Sequence, residues 1–391
     1  MSKRTIPDDS EKTADQGMQR WHALLLQVGD KTDNALDRLR HSFNRRFRPN
    51  EPLQIIPYQG FANDKTAYFM GRVIEYRKPP SSDVDSLWST LLTSYQRFET
   101  DEVPGVTVRA CHNGHCLETV TDAEGYYRFE MEVDTSASDT EIEIEINLPA
   151  EANRSHGVIS RVTCPRADAD FGVISDIDDT VLLTNATSLL EMMRLTLLQS
   201  SKSRVAFAGV VPFYRALHAG KNPFFYVSSS PWNLYEFLYD FMETKGIVRG
   251  PLLLRDFGID RTKFIAGPHK VHKLAQIKSV MDSLPHLKFI LVGDSGQHDP
   301  EIYSQCVKDY PGRILAIYIR NVSTDDQSVL NQRIESLQVD GVPLLLVANT
   351  LDAAKHAAES GYIAADSLAG IREVRNLDVV TESNSNGNTV V

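Results

Sequence analysis

Three short polar clusters, each directly after an apolar run, hold the residues of this chain best suited to chemistry. Asp176-Ile177-Asp178-Asp179-Thr180 follows the run 171–175, and Ser228-Ser229-Ser230 follows 224–227. Gly293-Asp294-Ser295-Gly296-Gln297-His298-Asp299 follows 288–292, and Lys273 opens a helical pattern just ahead of that run. Asp176 and Asp178 stand two apart, so a backbone that turns at the strand end brings both to one point. One can then attack an electrophile while the other moves a proton. Carboxylates gathered in this way repel unless a cation lies among them. Hard oxygen donors select Mg²⁺, which takes a few carboxylates together with water and phosphate oxygens. The lysine and the serine would hold the non-bridging oxygens of a phosphate, leaving phosphorus open to in-line attack.

Such clusters need a scaffold that brings strand ends together. Apolar runs at 171–175, 224–227, 252–254, 288–292, 314–319 and 344–347 alternate with helical stretches. Uninterrupted apolar strands separated by helices predict a parallel sheet covered on both faces. In open α/β sheets ligands bind beyond the carboxyl ends of the strands, which is where all three clusters fall. The expectation is a Rossmann-like α/β domain over residues 165–375.

The chain ahead of it reads differently. Over residues 51–150 the signals are those of β structure: Val106, Val108 and Ala110 alternate with Thr107, Arg109 and Cys111, and 141–148 alternates acidic with apolar residues. The stretch 82–100 interrupts this pattern with a helix or long loop. Asn113-Gly114 is a strong two-residue hairpin signal. Its register sets Cys111 opposite Cys116 and Arg109 opposite Glu118, and turns His112 and His115 away from the cysteines. That geometry disfavours a four-ligand zinc site. The cysteines are expected as two facing thiols, with a cross-strand disulfide as the alternative; Cys164 and Cys306 have no partner motif and read as structural.

Residues 1–50 comprise a polar tail and an amphipathic helical segment, with Leu36, Leu39, Phe43 and Phe47 on one stripe and Arg38, Arg45, Arg46 and Arg48 mainly on the others. This segment either packs against the protein or a second copy, or lies on an anionic membrane surface. The Ser- and Asn-rich residues 376–391 read as a flexible tail. The 391 residues carry a net charge of −11, which argues against nucleic acid as a partner. No apolar run approaches the roughly 18–20 residues of a membrane-spanning helix. Because residues 1–10 are polar, without the apolar core of a secretory signal, a cytoplasmic protein is expected, peripherally bound to membrane if the helix serves that end. No pattern speaks to oligomeric state.

Asp176-Ile177-Asp178-Asp179-Thr180 resembles the D-x-D-x-T signature of haloacid-dehalogenase-like (HAD-like) phosphatases. Ser228, Lys273 and the Gly-Asp-x-x-x-x-Asp of residues 293–299 resemble their second, third and fourth motifs, in the same order and on matching elements. Tyr226-Val227-Ser228-Ser229-Ser230-Pro231-Trp232, His272-Lys273 and residues 291–303 look like a narrower family, the catalytic domain of the actin-patch phosphatidate phosphatases, distantly similar to lipins. The likeness spans about residues 172–321. Residues 104–129 resemble, loosely, small prealbumin-like β-sandwiches appended to many enzymes.

The resemblance implies a phosphatidate phosphatase that releases diacylglycerol, with a phospholipid as substrate and Mg²⁺ as cofactor. Asp176 would be the nucleophile that becomes an aspartyl-phosphate, and Asp178 the acid and base. Thr180, Ser228 and Lys273 would bind phosphate, with Lys270 a less favoured candidate for the motif lysine. Asp176, the Asp178 carbonyl and Asp294 would bind the metal; Asp299 would either reach it through water or orient Lys273. Trp232 reads as half-buried packing, with a place at the substrate's edge as the alternative.

Only 52 positions separate Asp176 from Ser228 and 45 separate Ser228 from Lys273, leaving little beyond residues 188–208 for a lid. An open site suits a headgroup presented on a surface better than a small free metabolite. The rival readings are a phosphatase for a protein or soluble phosphomonoester, and a non-catalytic phospholipid-binding module.

Overall fold

The computed structural model describes residues 52–76, 103–135, 139–151, 155–177, 209–255, 269–296, 298–322, 327–338 and 341–386. The N-terminal helical segment, the stretch 82–100, the lid candidates at 188–208, and Asp178, Asp179 and Thr180 lie outside them, as does the Lys270 side chain.

The described residues form two sheets. The first has eight strands: β1 (Leu53–Pro57), β2 (Gly60–Ala62), β3 (Thr66–Glu75), β4 (Thr107–His112), β5 (His115–Val120), β6 (Tyr126–Glu132), β7 (Glu141–Asn147) and β8 (Val158–Thr163). They run in the order β1-β3-β2-β8-β7-β4-β5, with β6 added on β3, and all pairings but β2–β8 are antiparallel. The strands wrap one core of Ile55, Phe69, Val108, Phe129, Ile144 and Val162, and β8 carries this unit on to Thr163. Period-two alternation explains β7, where Ile142, Ile144 and Ile146 point inward and Glu141, Glu143 and Glu145 outward.

The β4–β5 hairpin has the expected register. Arg109 faces Glu118 and bonds it at 2.8 Å, and Asn113 and Gly114 take the positive φ values of 47° and 83° that the turn demands. The expectation of two facing thiols is corrected: Cys111 and Cys116 are joined in a disulfide, their Cα atoms 4.2 Å apart. Directly opposed residues in a narrow pair bring Cβ atoms within bonding reach. Cys164 and Cys306 are buried free thiols, and burial pushes both up to about 12, which leaves them protonated and inert.

The second sheet holds β9 (Gly172–Asp176), β10 (Phe224–Pro231), β11 (Leu252–Arg255), β12 (Phe289–Asp294), β13 (Ile314–Arg320) and β14 (Leu344–Val347). All its pairings are parallel, in the order β11-β10-β9-β12-β13-β14. That is a doubly wound arrangement whose direction of growth reverses between β9 and β12. Helices α1 (Val210–His218), α2 (Tyr235–Lys245), α6 (Thr350–Glu359) and α7 (Ser367–Asn386) contribute to the core on one face. Helices α3 (His269–Ser283), α4 (Asp299–Asp309) and α5 (Gln327–Ser336) contribute to the other. Successive strand residues alternate between these cores, Val173 and Tyr226 in one, Ile174 and Phe225 in the other. Both faces are therefore dry, and the strands read as unbroken apolar runs. Helix α7 continues to Asn386, through residues whose composition suggests a tail. Among the described residues no helix is long and apolar enough to cross a membrane.

The β unit packs directly on the α/β unit. Ile56, Tyr58, Ile74 and Tyr126 join one α/β core, while Phe61 and Tyr68 join the other, with Phe61 edge-on to Phe225 at 5.7 Å.

Candidate functional site

Asp176 is the last residue of β9 and Asp294 the last of β12. These neighbouring strands flank the switch point, and Ser175 pairs with Val292, so their carboxyl ends emerge side by side. A crevice there is the expected place for a ligand. Ser228 follows Val227, whose partner across the ladder is Asp176. Lys273 lies on α3 and Asp299 opens α4, so two helices and three strands bring their polar residues to one edge.

Lys273 ties the cluster together. Its Nζ donates to Asp176 Oδ1 at 2.7 Å and to Asp299 Oδ1, with all three side chains at most 4% exposed. A lysine is held this deep only by carboxylate partners, because an unpaired buried charge is costly. Asp299 has a second role. Its Oδ2 accepts the backbone N–H of Asp294 at 3.1 Å, which locks the β12 end to the first turn of α4. An acidic residue at that position is favoured by the positive end of the helix, and Pro300 occupies a place where no N–H is needed.

Asp294 differs from its neighbours. Burial first, and then the Asp299 charge, raise its carboxyl to about 6; Arg320, the Gly296 N–H and Lys273 oppose the shift. The Gly296 N–H donates to Asp294 Oδ1 at 2.8 Å and fixes the carboxylate's direction. Burial and a like charge both penalise its ionised form, and a cation bound there would relieve that penalty. Among the described residues there is no group of three or more His, Cys, Asp or Glu placed to hold a metal. Asp176 and Asp294 nevertheless supply hard oxygen donors from adjacent strands, a donor set that fits Mg²⁺.

Gly293 is required by close approach. A Cβ there would run into the Asp299 carboxylate and lie 2.8 Å from the Tyr303 ring. Tyr303 is fully buried and donates its hydroxyl to the Val292 carbonyl at 2.9 Å, bracing the strand from beneath.

On β10, Ser228 is buried and its Oγ accepts the Ser230 N–H at 3.0 Å. Trp232 begins a turn of 3₁₀ helix and stacks on Tyr58 of the β unit, centroids 5.2 Å apart, so it is a packing residue. His298 is exposed at the cap of α4.

Two residues the sequence reading did not single out belong here. Arg320 ends β13 opposite Asp294 and is the leading charge that counters the Asp294 shift. The signal was available: it is the polar residue directly after the run 314–319. Tyr214 on α1 is hydrogen-bonded to Ser175 Oγ at 2.7 Å, beside Asp176; nothing local in the sequence links it to the site.

These features define a doubly wound α/β domain with a lysine-bridged carboxylate cluster at its switch point. Residues 171–321, which contain the cluster, match the family described as the phosphatidate phosphatase APP1 catalytic domain. Over 190 residues, 46% of this chain, the sequence is 32% identical to phosphatidate phosphatase APP1 of Saccharomyces cerevisiae. Over 165 residues, 42% of the chain, it is 31% identical to an uncharacterized protein of Schizosaccharomyces pombe. The chain spans only 32% and 27% of those relatives' lengths. Among solved structures, a carbohydrate acetylesterase from Xanthomonas citri is 9% identical with a TM-score of 0.25, covering 73% of this chain and 66% of that one. A xyloglucanase from Bacteroides ovatus is 11% identical with a TM-score of 0.18, covering 78% and 67%. Likenesses this slight carry no argument.

Proposed function

We propose that this chain is a Mg²⁺-dependent phosphomonoester hydrolase of the HAD-like type, acting on phosphatidate and releasing diacylglycerol. The observation that carries the proposal is the placement of Asp176 at the switch point, held by Lys273, on the strand next to the one that ends in the buried Asp294. The match of residues 171–321 to a phosphatidate phosphatase catalytic domain supports the substrate class.

In this reading a carboxylate oxygen of Asp176 attacks phosphorus and the bond from phosphorus to the glycerol oxygen breaks. Asp178 gives its proton to the departing alkoxide. Asp178 then takes a proton from water, which attacks the aspartyl-phosphate, frees phosphate and restores Asp176. Lys273 and Ser228 hold the non-bridging oxygens, together with Thr180. Because Asp299 grips Lys273 from the other side, the ammonium is positioned before substrate arrives, which avoids reorganisation during the reaction. Asp176, the Asp178 carbonyl and Asp294 would hold Mg²⁺, which when bound neutralises phosphate charge. Asp299 is a positioning residue for Lys273 rather than a ligand.

The test compares phosphate release from phosphatidate in mixed micelles with release from glycerol 3-phosphate, each with Mg²⁺ and with chelator. Higher catalytic efficiency on phosphatidate, abolished by chelator, is expected. Equal or better turnover of glycerol 3-phosphate would overturn the lipid assignment and leave a phosphatase for soluble substrates.

A further inference from the structure

Ser228 stands on an irregular piece of strand. The β10–β11 ladder pairs Tyr226 and Val227 with Leu252 and Leu253, then shifts register before Pro231 pairs with Arg255. The segment between is fixed less by sheet pairing than a regular strand would be. One end is tied by Val227 to Asp176. The other end runs straight into Trp232 and Tyr235, and these are gripped from outside the α/β unit.

The grip comes from Tyr58, between β1 and β2. Its ring stacks on Tyr235 with centroids 3.9 Å apart and on Trp232 at 5.2 Å, nearly parallel at 3°. The Gln59 N–H donates to the Tyr235 hydroxyl at 2.7 Å. Tyr58 is itself backed by Tyr126 at 6.5 Å, over which the Arg72 guanidinium lies at 4.9 Å. Tyr58, Tyr126, Tyr235 and Arg72 are all buried. Aromatic contacts thus run without a break from Tyr126 of β6, at the seam between the two units, to the residue four places after Ser228.

We propose that the β unit is a positioning element for the site, and that Tyr58 sets the conformation of residues 228–232 and thereby the place of Ser228. The proposal rests on Ser228 binding phosphate. Tyr58 touches no reacting atom; it acts through Trp232 and Tyr235. Removing its ring frees the far end of the irregular segment, so Ser228 no longer waits in one position and phosphate binding weakens.

The experiment uses the full chain, a soluble chromogenic phosphomonoester, and inorganic phosphate as a competing inhibitor. Loss of the ring contacts to Trp232 and Tyr235 in Tyr58→Ala should raise KM and the phosphate inhibition constant together by about 10-fold, with kcat changed less than about 3-fold. Tyr58→Phe keeps the ring and should restore both constants. Ile144→Ala cuts the core of the β unit away from the interface, where Ile144 is fully buried; it should lower Tm while leaving KM at the wild-type value. If Tyr58→Ala does not fold, Tyr235→Phe, which removes only the hydroxyl that accepts from Gln59, should still raise KM by about 2–3-fold. An active wild type whose KM and phosphate inhibition are unmoved in Tyr58→Ala and in Tyr235→Phe, or equally moved by Ile144→Ala, would overturn the proposal alone. A wild type that neither hydrolyses the substrate nor binds phosphate would overturn the phosphatase reading, and this proposal with it.

Discussion

Lys273 Nζ donates to Asp176 Oδ1 at 2.7 Å, across 97 positions of sequence, and bonds Asp299 with the same nitrogen. One buried cation therefore serves two buried carboxylates from different elements. It holds Asp176 in place and provides a positive charge where phosphate oxygens would gather.

Lys273→Met should be strongly destabilising. It leaves Asp176 and Asp299 buried without their shared cation, and breaking a buried pair in this way costs about 3–5 kcal/mol. Adding Asp299→Asn should recover part of the lost Tm, because it removes one of the stranded charges. Phosphate release should be lost in both variants. Thermal melts decide the matter: an unchanged Tm in the single variant, or none recovered in the double, would contradict the coupling.

The strands of the α/β unit were legible because both faces of its sheet are buried. Runs 171–175, 224–227, 288–292 and 314–319 became β9, β10, β12 and β13, each reaching at least one residue farther at its carboxyl end. Those added residues include Asp176, Asp294 and Arg320. Polar residues end an apolar run, yet the ladder continues through them. Tyr58 and Tyr214 were not legible, since their roles depend on contacts between distant segments that no local pattern records. The Cys111–Cys116 pairing was readable from the hairpin register, but facing cysteines alone do not say whether the bond forms.

Gly293→Ala should push the Asp299 carboxylate and the Tyr303 ring apart from the β12 end. Inserting a methyl into packed surroundings costs about 1–3 kcal/mol, and displacing Asp299 should lower turnover as well. Gly370→Ala, on α7 with open space around it, is the matched control; it should stabilise by about 0.5–1 kcal/mol through helix propensity. Similar effects from the two substitutions would remove the steric argument.

Asp294 gives the pH dependence. Its folded carboxyl is raised to about 6 from an ordinary value of 3.8. A group raised in this way favours the folded state below the unfolded value, and that contribution is lost as pH rises through 6. The metal-free protein should therefore lose on the order of 1–3 kcal/mol from this group between about pH 4 and pH 7. Asp294→Asn should flatten that dependence and be more stable than the wild type at pH 7 without metal, while losing Mg²⁺-dependent activity. Mg²⁺ binding should weaken as pH falls below 6, because the proton competes for the same oxygens. Calorimetric titration of Mg²⁺ at pH 5 and pH 7 showing equal affinity would argue against Asp294 as a ligand.

The central claim is that Asp176 itself becomes phosphorylated. During turnover of a chromogenic phosphomonoester, the enzyme is quenched in acid and treated with borohydride, which reduces an acyl phosphate to the alcohol. The peptide containing residue 176 is then read by mass spectrometry. Reduction confined to Asp176, absent without substrate, is the expected result, and Asp176→Asn should give neither the reduced peptide nor phosphate release. Reduction at another carboxylate, or continued turnover by the Asp176→Asn enzyme, would contradict the account.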